Sequence, residues 1–130
     1  MSIRETEDMH IQRLKALDEL GQFDYLVDLG VALGRDGEIE AVENRIKGCK
    51  TAIWVKRDEK RTRFSSDSLV VLGLLAILKQ MYEARMPEEI EQNPIRFLDV
   101  ISEHVVYPEI RKNGIRRVFG ILSGSKEDQG

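Results

Sequence analysis

Apolar residues recur at helical spacing in the N-terminal part of the chain. Ile11, Leu14, Leu17 and Leu20 form one stripe, and Leu26, Val27, Gly30 and Leu33 form a second, with an interruption near Gly21. The pattern predicts a helical hairpin ended by Gly34, Asp36 and Gly37, followed by an acidic stretch with Glu38, Glu40 and Glu43. The period then drops to two. Thr51, Ile53 and Val55 alternate with Ala52, Trp54 and Lys56, the Asp58-Glu59 pair offers a turn, and Arg61, Arg63 and Ser65 alternate with Thr62 and Phe64. With Asn44 to Gly48 as a short first strand, these residues predict a three-stranded antiparallel meander, and its first turn carries Cys49.

Ser66-Asp67-Ser68 supplies side-chain oxygens for the free amides of a helix start, and the run from Leu69 to Leu78 is apolar nearly all round. A helix of that kind belongs in the middle of the molecule, across the sheet and covered by the others. Pro87 with Glu88 and Glu89 begins a short helix, and Pro94 begins another carrying Phe97, Leu98 and Ile101. Glu109 to Leu122 reads as a last amphipathic helix with Ile110, Val118 and Phe119 inward, and Ser123 to Gly130 as a disordered polar tail. The fold class expected is α+β, a small sheet packed against helices, with residues 1–130 forming a single domain.

Composition bounds the function. The chain has 130 residues, 42% hydrophobic and 33% charged, with a formal net charge of −3, as in an ordinary globular protein, and that balance names no ligand. No signal-type apolar run opens the sequence, and Leu69 to Leu78 is about half of what a membrane span needs. A cytoplasmic, reducing location is therefore expected, and it would keep a lone thiol free.

That thiol is Cys49, the single cysteine, set in Glu43-Asn44-Arg45-Ile46-Lys47-Gly48-Cys49-Lys50-Thr51. Cysteine reacts as the thiolate, and the cationic neighbours Arg45, Lys47 and Lys50 favour a negatively charged sulfur. Gly48 lets the turn take a backbone conformation that other residues resist. The plainer reading makes Cys49 a small packed hydrophobe at a strand end. Metal chemistry is disfavoured, because His10 and His104 lie far in sequence from Cys49 and from each other. A protease-like pairing of Cys49 with His104 is disfavoured as well.

Basic residues cluster at Arg45, Lys47, Lys50, Lys56, Arg57, Lys60, Arg61 and Arg63, and again at Arg111, Lys112, Arg116 and Arg117. This leaves open a basic-faced interaction or nucleic-acid-binding module with a structural cysteine. Against it, Trp54 and Phe64 are expected to face the core rather than to stack on bases. A dock for an acidic protein surface beside the thiol is the intermediate reading.

The cysteine segment resembles the SufE-like sulfur-acceptor proteins of iron–sulfur cluster assembly. The likeness starts near Tyr25-Leu26-Val27-Asp28-Leu29-Gly30 and is strongest over Glu43 to Cys49 with Ile53-Trp54-Val55. It continues through Phe64, Asp67-Ser68, Gly73-Leu74-Leu75-Ala76 and Arg111-Lys112-Asn113-Gly114-Ile115. The resemblance implies a fold similar to the cluster scaffold protein. It also implies that Cys49 accepts a persulfide sulfur from a cysteine desulfurase, stimulates that enzyme and passes the sulfur to an iron–sulfur cluster scaffold complex. Lys47, Gly48, Lys50 and Arg111 would shape the turn or dock the partner. The chain would bind no cofactor or metal of its own, since the pyridoxal phosphate belongs to the desulfurase. Departures from the family pattern fall at Lys50-Thr51, where Gln-Ser is common, at Leu69, where an acid is common, and at Tyr107-Pro108-Glu109-Ile110, where the proline is displaced.

Overall fold

A computed structural model describes residues 1–58, 60–105 and 109–124, with side chains from residue 112 onward in the last segment. Among the described residues, five α-helices and one antiparallel hairpin follow in the order α1 (Ile3–Lys15), α2 (Glu19–Leu33), β1 (Ile53–Asp58), β2 (Arg61–Ser66), α3 (Leu69–Tyr82), α4 (Pro87–Glu91) and α5 (Glu109–Leu122). The α+β class holds.

The hairpin pairs Ile53 with Ser66 and Asp58 with Arg61, so Ile53, Val55, Thr62 and Phe64 turn inward. The expected third strand is not formed. Val42–Asn44 winds into a 3-10 turn with Asn44 Nδ2 donating to the Ile39 carbonyl at 2.9 Å. Extended chain is left only at Arg45 and Ile46, which meet β1 through the Arg45–Trp54 bridge and an Ile46 N–H bond to the Ile53 carbonyl at 2.9 Å. A run this short makes a bridge, not a ladder.

The α1–α2 break lies at Ala16–Asp18, ahead of Gly21, because the Asp18 carboxylate caps α2 by accepting from the Gly21 N–H at 2.8 Å. That shift leaves Leu17 and Leu20 exposed while Leu14 is fully buried, so the predicted stripe breaks after one helix. The segment after Pro94 forms a 3-10 turn at Phe97–Val100 in place of a helix, with Phe97 and Leu98 buried.

α3 is the central helix. Every residue from Val70 to Leu78 is buried, and Ser68 caps its start by accepting from the Val71 N–H at 3.3 Å. It crosses α2 at backbone contact. A Cβ on Gly73 would stand 2.0 Å from the Leu26 carbonyl oxygen, and one on Gly30 would stand 2.1 Å from that of Leu69.

Two buried polar groups tie distant segments to this core. The Glu7 carboxylate, fully buried, accepts from the Arg96 N–H at 2.6 Å, the Phe97 N–H at 3.0 Å and the Arg96 side chain at 2.9 Å, anchoring the 3-10 turn to α1. Gln22 donates to the Leu14 and Val100 carbonyls and accepts from the Ser102 N–H at 3.0 Å. On α5, Ile115, Val118 and Leu122 are buried and Phe119 is partly so, while Ile110 lies outside the described side chains. Of the predicted tail, residues 125–130 lie outside the described segments, and Ser123 and Gly124 close α5 through bonds to the Phe119 and Ile121 carbonyls. No described helix is long and apolar enough to cross a membrane.

Candidate functional site

Cys49 sits in a loop between the Arg45–Ile46 bridge and β1, as its place at a turn predicted. The loop is fixed at both ends. Ile46 is buried and bonded to Ile53, and at the other end the Ala52 carbonyl accepts from the buried Ser66 hydroxyl at 2.6 Å. Between these anchors Lys47, Gly48 and Lys50 are exposed and Cys49 is half-buried against the core.

The wall behind the thiol is α5. A Cβ on Gly114 would fall 2.8 Å from Cys49 Sγ and 3.0 Å from Ile53 Cδ1, so the missing side chain makes the space that the sulfur occupies. One turn along the same face, Arg117 Nη1 donates to the Lys47 carbonyl at 2.6 Å. Gly48 takes φ +74°, in the left-handed region, and its α-carbon faces the Arg117 guanidinium. The sequence placed Gly114 only within a family-like string and Arg117 only within a basic cluster. The signal that could have joined them is their spacing: a glycine and an arginine three apart share one face of an amphipathic helix.

Lys47 and Lys50 project to solvent on either side of the thiol. The side chain of Arg111 lies outside the described residues. Its neighbour Lys112 does not join a basic patch, being buried with Nζ donating to the Ile101 carbonyl at 3.3 Å.

One member of the predicted basic cluster is neutralised by acidic neighbours. Arg63 is bidentate to Asp36 at 2.7 Å and reaches Glu38, and Arg35 pairs with Glu40 at 2.6 Å. These bonds hold the carboxylates of Asp36 and Glu40 below their ordinary range, the Arg63 bond acting on Asp36 and the Arg35 bond on Glu40. Trp54 does not face the core as expected. It is half-buried on the outer face of the hairpin, with the guanidinium groups of Arg45 and Arg35 5.8 and 6.0 Å from its ring centre. Phe64 does point inward.

Neither histidine hydrogen-bonds Cys49 among the described residues. His104 is exposed and pairs with Glu19 at 2.7 Å. His10 is buried among α1, α2 and α3, with Nδ1 2.6 Å from the Tyr25 hydroxyl and Nε2 2.7 Å from Gln80 Oε1. No three His, Cys, Asp or Glu side chains converge as metal ligands among the described residues.

A lone thiol on a helix-backed turn is a chemistry that a family can be built on, and one family model fits. The SufE model, described as an Fe-S metabolism associated domain, matches residues 8–124. The chain belongs to the SufE family. The matched span includes the cysteine loop, the hairpin, the central helix and the α5 face that backs the thiol. A solution structure of a hypothetical protein from Thermus thermophilus has a similar fold, with a TM-score of 0.65 and 16% identity over 91% of this chain and 90% of that one. The family ties the chain to iron–sulfur metabolism.

Proposed function

We propose that this chain acts, as one SufE-like domain, as a sulfur acceptor in iron–sulfur cluster assembly. The observation that carries the reading is the position of its single thiol: half-buried at the tip of an anchored loop, flanked by exposed Lys47 and Lys50, in a chain of the SufE family.

The chemistry is an exchange at sulfur. The Cys49 thiolate attacks the terminal sulfur of a persulfide held on a cysteine desulfurase. A bond forms between Cys49 Sγ and that sulfur, the donor's S–S bond breaks, and the electron pair leaves on the donor's cysteine as thiolate. Atoms and charge balance with no outside oxidant. A second exchange of the same kind passes the sulfur on to a cluster scaffold complex. The pyridoxal phosphate that frees sulfur from cysteine belongs to the desulfurase, and this chain contributes the acceptor thiol.

Docking falls to the residues around the loop. Lys47 and Lys50 offer charge to an acidic surface, Gly48 allows the bend, and Arg111 at the start of α5 is the fourth candidate contact. The reducing cytoplasm suits a thiol that must stay free between turnovers. A role as the cluster scaffold itself is disfavoured, because a single cysteine cannot supply the ligand set of a cluster.

Desulfurase turnover tests the reading. Wild-type protein should raise the rate of alanine release from cysteine, and Cys49→Ser should still bind the desulfurase while leaving its rate unchanged. Equal stimulation by both proteins would overturn the assignment.

A further inference from the structure

We propose that Arg117 is the latch that holds the Cys49 loop closed against α5, and so a positioning residue for the sulfur transfer inferred above. The loop's ends are fixed by Ile46–Ile53 and Ser66–Ala52 contacts, whereas its tip reaches solvent. Among the described residues, Arg117 reaches that tip from another element, its Nη1 donating to the Lys47 carbonyl at 2.6 Å.

The fit goes beyond a single bond. A Cβ built on Gly48 would lie 3.3 Å from Nη1, 3.4 Å from Nη2 and 3.5 Å from the central carbon of the guanidinium, so this group lies over the bare glycine. The positive φ of Gly48 belongs to the same arrangement. Three residues earlier on the helix, Gly114 seats the Cys49 sulfur. One face of α5 therefore holds the loop at two neighbouring points, a charged donor on the main chain and a gap for the thiol.

The strength of the latch suits a movable part. A charge-assisted hydrogen bond near solvent biases its closed form by roughly five- to tenfold, enough to keep the sulfur sheltered and little enough for a docking partner to overcome. Sheltering matters for a persulfide, which reductants and oxidants would otherwise consume.

The test reads thiol accessibility without any desulfurase, so it stands or falls apart from the sulfur-acceptor reading. Alkylation of Cys49 by iodoacetamide is timed for wild type, Arg117→Ala, Arg117→Lys and Arg117→Met, alongside thermal unfolding of each. Arg117→Ala should be alkylated roughly five- to tenfold faster with its unfolding midpoint little changed, and Arg117→Lys should return toward the wild-type rate because an ammonium can still donate to the Lys47 carbonyl. Should Arg117→Ala lose global stability, Arg117→Met decides, since it keeps a long unbranched side chain on α5 but offers no donor to the Lys47 carbonyl, and it should also speed alkylation. A wild-type alkylation rate in a folded Arg117→Ala or Arg117→Met would overturn the latch, as would a lysine variant as fast as the alanine one. If the latch holds and wild-type protein never accepts sulfur from a desulfurase, the proposed function fails while the latch stands.

Discussion

The Cys49 sulfur rests on the bare α-carbon of Gly114, and a methyl group there would stand 2.8 Å from Sγ and 3.0 Å from Ile53 Cδ1. Gly114→Ala therefore sets two effects against each other. Alanine favours a helix over glycine by about 1 kcal/mol, whereas overpacking costs about 1–3 kcal/mol. Ile53 is fully buried in β1 whereas the tip of the Cys49 loop reaches solvent, so the overlap should be relieved by lifting Cys49. The expected result is a net stability loss of at most about 2 kcal/mol in urea titration, together with faster reaction of the thiol with a disulfide reagent. Unchanged thiol reactivity would mean that the sulfur is not seated on this helix.

The α2–α3 crossing should tolerate no such adjustment. At Gly30 and Gly73 the obstacle is a main-chain carbonyl of the facing helix, 2.1 and 2.0 Å from a built Cβ, and neither helix can retreat without opening the core. Gly73→Ala should cost about 3 kcal/mol or more despite the gain in helix propensity, measured as the shift in the chemical denaturation midpoint.

Glu7 predicts a loss of similar size by a different route. Glu7→Ala leaves the N–H groups of Arg96 and Phe97 without their carboxylate, and each buried unpaired donor costs about 1–3 kcal/mol. A destabilisation of about 2–4 kcal/mol is expected, with Glu7→Gln milder because an amide oxygen can still accept one of the bonds.

His10 links stability to pH. Burial holds its imidazole below its ordinary value of 6.5, opposed by the hydrogen bond to Gln80 and aided by the charge of Arg13. The neutral ring fits its surroundings as a Tyr25 hydroxyl donating to Nδ1 and an Nε2–H donating to Gln80. A depressed pKa in the folded state means that the unfolded chain binds the proton first as pH falls. The contribution of His10 is thus full above about pH 6.5 and drains away as pH drops toward the folded value. Melting temperatures taken between pH 7.5 and 5 should fall more steeply for wild type than for His10→Gln.

Much of this architecture could be read from residue order because the signals are local. The alternation through Trp54 and Phe64 marked the hairpin, the apolar run after Ser68 marked the buried helix, and the change of period before Thr51 placed Cys49 on the turn leading into it. Where the reading failed, tertiary contacts decided the outcome. The strand predicted over Asn44 to Gly48 is cut at both ends, by the 3-10 turn in which Asn44 donates to the Ile39 carbonyl and by the Lys47–Gly48 turn, and the Asp18 cap turns Leu17 and Leu20 outward. Trp54 faces outward because Arg35 and Arg45 accompany its ring there. Gly114 and Arg117 gain meaning only when α5 is laid beside a loop distant in sequence, and Glu7 only when it meets Arg96.

Intact-mass spectrometry of the protein after incubation with a cysteine desulfurase and cysteine tests the central claim most directly. Wild-type chain should gain the mass of one sulfur, reductant should remove it, and Cys49→Ser should gain nothing. A Cys49→Ser chain that takes up sulfur as readily as wild type would contradict the account, and so would a wild-type chain that takes up none.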